Sequence, residues 1–106
     1  MSVNVTDQTK AVFWHRELPP LAAEPLGEHS VEAHSHRVPG GFAHRDELWL
    51  KCQADLMEQA TERLTEEIAR LGGRYAHVLK ESIDSRHDFA SDEAWLLGRY
   101  DYMLYR

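Results

Sequence analysis

The sequence predicts an α+β domain: a three-stranded antiparallel sheet in β–α–β–β order, with the last strand central and one long helix packed on one face. An N-terminal extended arm or short strand completes it. Three observations lead there. Residues 46–71 carry a helical apolar period and stop at Gly72-Gly73. Residues 28–38 alternate apolar and polar side chains. Residues 93–105 are aromatic and apolar on both faces, as a central strand requires.

Residues 1–10 are polar and read as a disordered tail, which leaves residues 11–106 as a single domain. Ala11-Val12-Phe13-Trp14 is a short apolar run broken by Glu17 and Pro19-Pro20, so it reads as an arm or short strand laid on the body. In residues 28–38, Val31 and Ala33 point one way and Glu28, Glu32, His34 and His36 the other, giving a strand with one wet face. Pro39-Gly40-Gly41 ends it.

The helix is expected over residues 46–71, with Asp46 as N-cap. Its stripe is Trp49, Leu56, Ala60, Leu64, Ile68 and Leu71, with Gln53 also inside it. Residues 74–84 read as a strand, 85–92 as a polar loop and 93–105 as the last strand. There Ala94, Leu96, Tyr100, Tyr102 and Leu104 share the helix face, and Gly98 is read as a bulge. The right-handed crossover rule and a short hairpin together put the last strand in the middle.

A chain of 106 residues holds one two-layer core. Its formal charge of −6 argues against a nucleic-acid backbone as partner. No run approaches the ~20 apolar residues of a membrane span. The polar start lacks the basic and apolar regions of a signal peptide, and the lone Cys52 excludes an internal disulfide. The cytoplasm is the expected compartment.

The stretch Ala69-Arg70-Leu71-Gly72-Gly73-Arg74-Tyr75-Ala76-His77-Val78-Leu79, a helix ending at glycine and running straight into an Ala/Val strand, resembles a pattern in several small bacterial families. These are the outer-membrane stress-sensing lipoproteins, the small pentameric proteins classed as heavy-metal-binding, and the periplasmic stress and biofilm proteins. The resemblance implies a bacterial β–α–β–β domain on a three-stranded sheet, and assembly into oligomers. It brings over no catalytic residue, and this chain has neither signal peptide nor lipid-attachment cysteine at its start.

His34-Ser35-His36 is an H-x-H on a predicted strand, so both rings should share a face with Glu32. Two imidazoles and a carboxylate are how a Zn or Ni site begins. The plainer reading is an exposed strand that tolerates such residues, so no cofactor is expected. Ser85, His87 and Asp88 are neighbours in a polar segment and lack the distant segments and oxyanion hole of a triad. Glu67 falls inside the helix stripe, where burial would raise its pKa and suit it to acid–base work. A rim residue paired with Arg63 is the simpler account. His77 is the other catalytic candidate, with Cys52 its partner only if the fold joins them.

Trp95, Leu97, Met103 and Tyr105 face away from the helix, on a sheet face with no cover but the arm. They are the expected interface of a homodimer or higher oligomer, or of a complex with another protein. The leading expectation is therefore a non-catalytic oligomeric or partner-binding module. A small metal-binding protein or metal-dependent enzyme built on Glu32, His34 and His36 is the alternative.

Overall fold

The computed structural model describes residues 10–40 and 45–106. Apart from Lys10, the expected N-terminal tail lies outside them, as do Gly41 and His44. The elements are β1 (Val12–Trp14), β2 (Pro25–His34), β3 (Val38–Pro39), α1 (Arg45–Leu71), β4 (Tyr75–Asp88) and β5 (Glu93–Tyr105).

The expected three-stranded antiparallel sheet is not what forms. The sheet has five strands and is mixed, in the order β1-β4-β5-β2, with β3 also paired to β5. β1 adds a parallel lane to the outer edge of β4, matching Val12 with Ala76 and Trp14 with Val78. The arm thus extends the sheet at its edge, because its backbone groups find partners there: Ala76 N donates to Ala11 O at 2.9 Å and His15 N to Val78 O at 2.9 Å. β3 arises because the 28–38 strand breaks after His34 and resumes two residues long. β5 lies between β4 and β2, antiparallel to both.

β4 runs through Asp88, so the first half of the expected 85–92 loop is strand and the turn occupies residues 89–92 alone. The side chain of Asp88 caps that turn by accepting from Ala90 N at 2.9 Å. Gly98 is not a bulge: it pairs in register with both Ala33 and Ile83. The irregularities fall between Pro25 and Gly27 and between Val78 and Lys80.

α1 starts at Arg45, which puts Asp46 in its first turn and not at the N-cap. It ends as expected. Gly72 has φ 75°, Gly73 N donates to Ile68 O at 2.9 Å and Gly72 N to Ala69 O at 3.4 Å, the paired bonds of a Schellman motif. The buried stripe is Leu48, Cys52, Leu56, Ala60, Leu64 and Ile68, every fourth residue. Trp49 is 37% exposed and Gln53 is exposed. A repeat of four advances about 40° per step on a helix of 3.6 residues per turn. The contact line therefore winds around α1 as the helix crosses a twisted sheet.

β1, β2 and β4 all run in one direction. The chain crosses from β3 to β4 through α1 on one face, and earlier crosses from β1 to β2 in the opposite sense. Right-handed crossovers of opposite sense lie on opposite faces. Residues 15–24 therefore form a strap over the face that α1 leaves open. The burial agrees: His77 points away from α1, is 8% exposed, and its Nε2–H donates to His15 O at 2.6 Å. The strap is tied at its start by Glu17, which accepts from Trp14 N at 2.8 Å and pairs with Lys10 at 2.6 Å. At its end Arg106 N donates to Glu24 O at 2.8 Å. No helix of the described residues is long and apolar enough to cross a membrane.

Candidate functional site

Cross-strand register builds the open face as a ladder of rows. At one end Tyr75 lies opposite Tyr105, and Phe13, His77, Met103 and Glu28 form the next row. Phe13 is 9% exposed and meets Tyr75 edge-on with ring centroids 5.9 Å apart. The strap and β1 close this end, so Met103 and Tyr105 are half-buried within one chain.

The middle rows are polar. Lys80, Asp101 and Ser30 are followed by Ser82, Arg99 and Glu32. Ser30 Oγ donates to Asp101 Oδ1 at 2.6 Å, and Arg99 Nε stands 3.9 Å from the same carboxylate. Ser30, Lys80, Arg99 and Asp101, with Glu28 and Leu79, line a shallow cavity of about 360 Å³. The far rows pair Leu97 with His34 and Asp84, and Trp95 with Arg86. Arg37 lays its guanidinium 4.1 Å from the centre of the Trp95 ring and reaches Asp88 at 3.3 Å and Glu93 at 3.6 Å. The Ala90 amide first, and Arg37 after it, hold the Asp88 carboxyl below its usual range.

The two histidines of the H-x-H part company. Ser35 is 1% exposed; its N donates to Leu96 O at 3.0 Å and its Oγ accepts from Leu96 N at 2.9 Å. The hydroxyl completes the ladder step in place of the Ser35 carbonyl, which turns to accept from His34 Nδ1 at 3.1 Å. The backbone is then free to bend toward the helix. His36 N donates to Asp55 Oδ2 at 2.6 Å, and the His36 ring lies 3.0 Å from that carboxylate. His34 stays on the open face beside Leu97, two residues along β2 from Glu32. Among the described residues no cluster of three or more His, Cys, Asp or Glu is set to hold a metal ion.

Glu67 is 8% exposed and grips Arg70, not Arg63: Nε donates to Oε2 at 2.8 Å and Nη2 to Oε1 at 2.9 Å. Arg70 holds the carboxyl below its ordinary pKa against the opposing effect of burial, so the expected rise does not occur. Arg63 reaches Glu66 at 3.5 Å. Tyr102 Oη sits 3.5 Å from Glu67 Oε1, and burial pushes that phenol up to about 12. His77 spends its Nε2 on the strap carbonyl, and Cys52 is buried on the helix side of the sheet, so the two do not meet.

Sequence reasoning missed the strap and Arg37. Both have a signal: three parallel strands need two crossovers, and an arginine just past a strand end has the reach to cover an aromatic on the adjacent strand. No family model, no curated protein and no solved structure matches this chain. The likeness noted for residues 69–79 rests on those residues alone.

Proposed function

We propose that the chain is a non-catalytic module of the bacterial cytoplasm that associates with itself or with another protein through the Trp95–Leu97 end of its open face. One observation carries this reading: the strap is tied over the Phe13–His77–Met103 end, while Trp95 and Leu97 lie beyond the polar middle rows, with the Arg37 guanidinium laid over Trp95. All four residues first assigned to an interface are half-buried within the chain; Met103 and Tyr105 lie at the end where the strap is tied, and Trp95 and Leu97 at the other. The strap adds exposed leucines, Leu18 at 73% and Leu21 at 103%.

Sedimentation and thermal melting of the native chain and of Trp95→Asp test the reading. A smaller assembly than the native chain forms, with an unchanged melting temperature, supports it. A native chain that sediments as one chain at hundreds of micromolar, combined with a lowered melting temperature in Trp95→Asp, overturns it, because Trp95 then serves only its own domain.

A further inference from the structure

The outer edge of β4 beyond the β1 pairing is the least explained part of the molecule. β1 matches only Ala76, His77 and Val78, whereas β4 continues to Asp88. Among the described residues no strand lies beside that continuation. Ala76 N and Val78 O bond toward β1, so those residues turn their amides outward. The bulge between Val78 and Lys80 shifts the alternation by one. The outward-facing set then becomes Glu81, Ile83, Ser85 and His87.

The charges along this edge are not equivalent. Glu81 is held by His15 at 2.9 Å, His87 by Asp92 at 3.0 Å and Asp88 by Arg37 at 3.3 Å. Asp84 and Arg86 have no ion-pair partner among the described residues, yet they sit two apart on the open face, opposite Leu97 and Trp95. We propose that β4 pairs antiparallel with β4 of a second copy about a two-fold axis at Ser85. Asp84 of each copy then lies directly opposite Arg86 of the other.

Two-fold antiparallel pairing keeps each face in common, so only registers centred on one residue are allowed. Centring on Ile83 opposes Lys80 with Arg86. Centring on Asp84 opposes Asp84 with itself, and centring on Arg86 opposes Arg86 with itself and Asp84 with Asp88. Centring on Ser82 or His87 also opposes unlike charges, but the first sets Arg86 against Val78, whose edge β1 already holds, and the second pairs only the last residues of β4. The Ser85 register has no like-charge opposition and supplies two opposite-charge pairs along the free length of β4. It also sets Ile83 opposite His87 and brings Phe89, 89% exposed at the turn, beside Glu81 and His15 of the other copy. The joined sheet carries both Trp95–Leu97 patches on one side, near the axis.

The surface is separate from the one proposed above, and so is its test. Asp84→Arg and Arg86→Asp are made singly, combined in one chain, and mixed as two separate chains, with circular dichroism to confirm folding and sedimentation to read mass. Each single variant is expected to weaken dimerisation at least tenfold. The double swap, and the equimolar mixture of the two single variants, should dimerise again, because both restore opposite charges at both positions. Trp95→Asp should leave this dimer intact. A native chain that stays single at hundreds of micromolar overturns the proposal, as do single variants that associate like the native chain. Failure of both the double swap and the mixture to dimerise overturns it too.

Discussion

Tyr100 lies back along β5 over Gly98, so that a Cβ at position 98 would overlap the Tyr100 hydroxyl. The phenol is 0% exposed, its hydroxyl has no hydrogen-bond partner among the described residues, and Trp14 of β1 packs edge-on against its ring with centroids 5.7 Å apart. Glycine at 98 is therefore a seat for the ring on a regular strand.

A buried hydroxyl without a partner costs about 1–3 kcal/mol. Tyr100→Phe should therefore raise stability by about 1 kcal/mol or leave it unchanged in chemical denaturation. A loss of that size would mean the hydroxyl has a partner. Burial pushes the Tyr100 phenol up to about 12, so neutral Tyr100 favours the folded state fully below about pH 10, and that advantage fades as pH rises toward 12. Gly98→Ala should destabilise the native chain, since the ring must leave its seat.

The winding ridge of α1 sets a second expectation. Leu56→Ala and Leu64→Ala, each at 0% exposure, should cost about 2–5 kcal/mol. Trp49→Ala, on a residue 37% exposed, should cost clearly less. Equal losses at Trp49 and Leu56 in urea melts would contradict the assignment of the ridge.

Ser35→Ala should cost about 1–3 kcal/mol, because it leaves Leu96 N without its acceptor at the break between β2 and β3. Ser35→Thr, which keeps an oxygen, should recover part of the loss if the extra methyl is accommodated. Hydrogen exchange at the Leu96 amide reads the effect directly. Unchanged protection in Ser35→Ala would show that another acceptor takes over.

Glu67 ties stability to acid. Its folded-state pKa lies below the unfolded value near 4.5, so the Arg70 and Tyr102 contacts stabilise fully above that pH. Their contribution fades as pH falls through the lowered folded value. Denaturation of native and Glu67→Gln proteins from pH 7 to pH 2 should show a difference that shrinks below pH 4. A constant difference across that range would count against the ion pair.

How far the sequence could be read depends on the range of each signal. The helix, its glycine stop and the two faces of β5 follow from periodicity and capping, which act within a few residues. The start of the α1 stripe was misread at Trp49 because Leu48 and Cys52 join it only if the period is four, a consequence of helix tilt across the sheet. The parallel place of β1 was hidden, since three residues cannot state which distant edge they will join. The two rings of the H-x-H diverge for a local reason with a long-range cause: Ser35 replaces a backbone acceptor for Leu96, and strand alternation stops there. Glu67 was correctly placed inside the stripe. The sign of its shift depended on which arginine reached it.

The placement of β1 and its strap also has a kinetic meaning. β2, β4, β5 and α1 make up a closed β–α–β–β unit whose hairpin is local, whereas β1 must find an edge that does not exist until β4 is paired. Long loops close late and contacts made late are the first to be lost. Amides held only by the pairing of the arm with β4, such as those of His15 and Ala76, should exchange through an opening smaller than global unfolding, with the hairpin amides still protected. A protease that cuts between the exposed Leu18 and Leu21 would then release the cover of His77 and Met103 while the remaining strands stay folded. The N-terminal quarter of the chain would behave as a detachable cooperative unit.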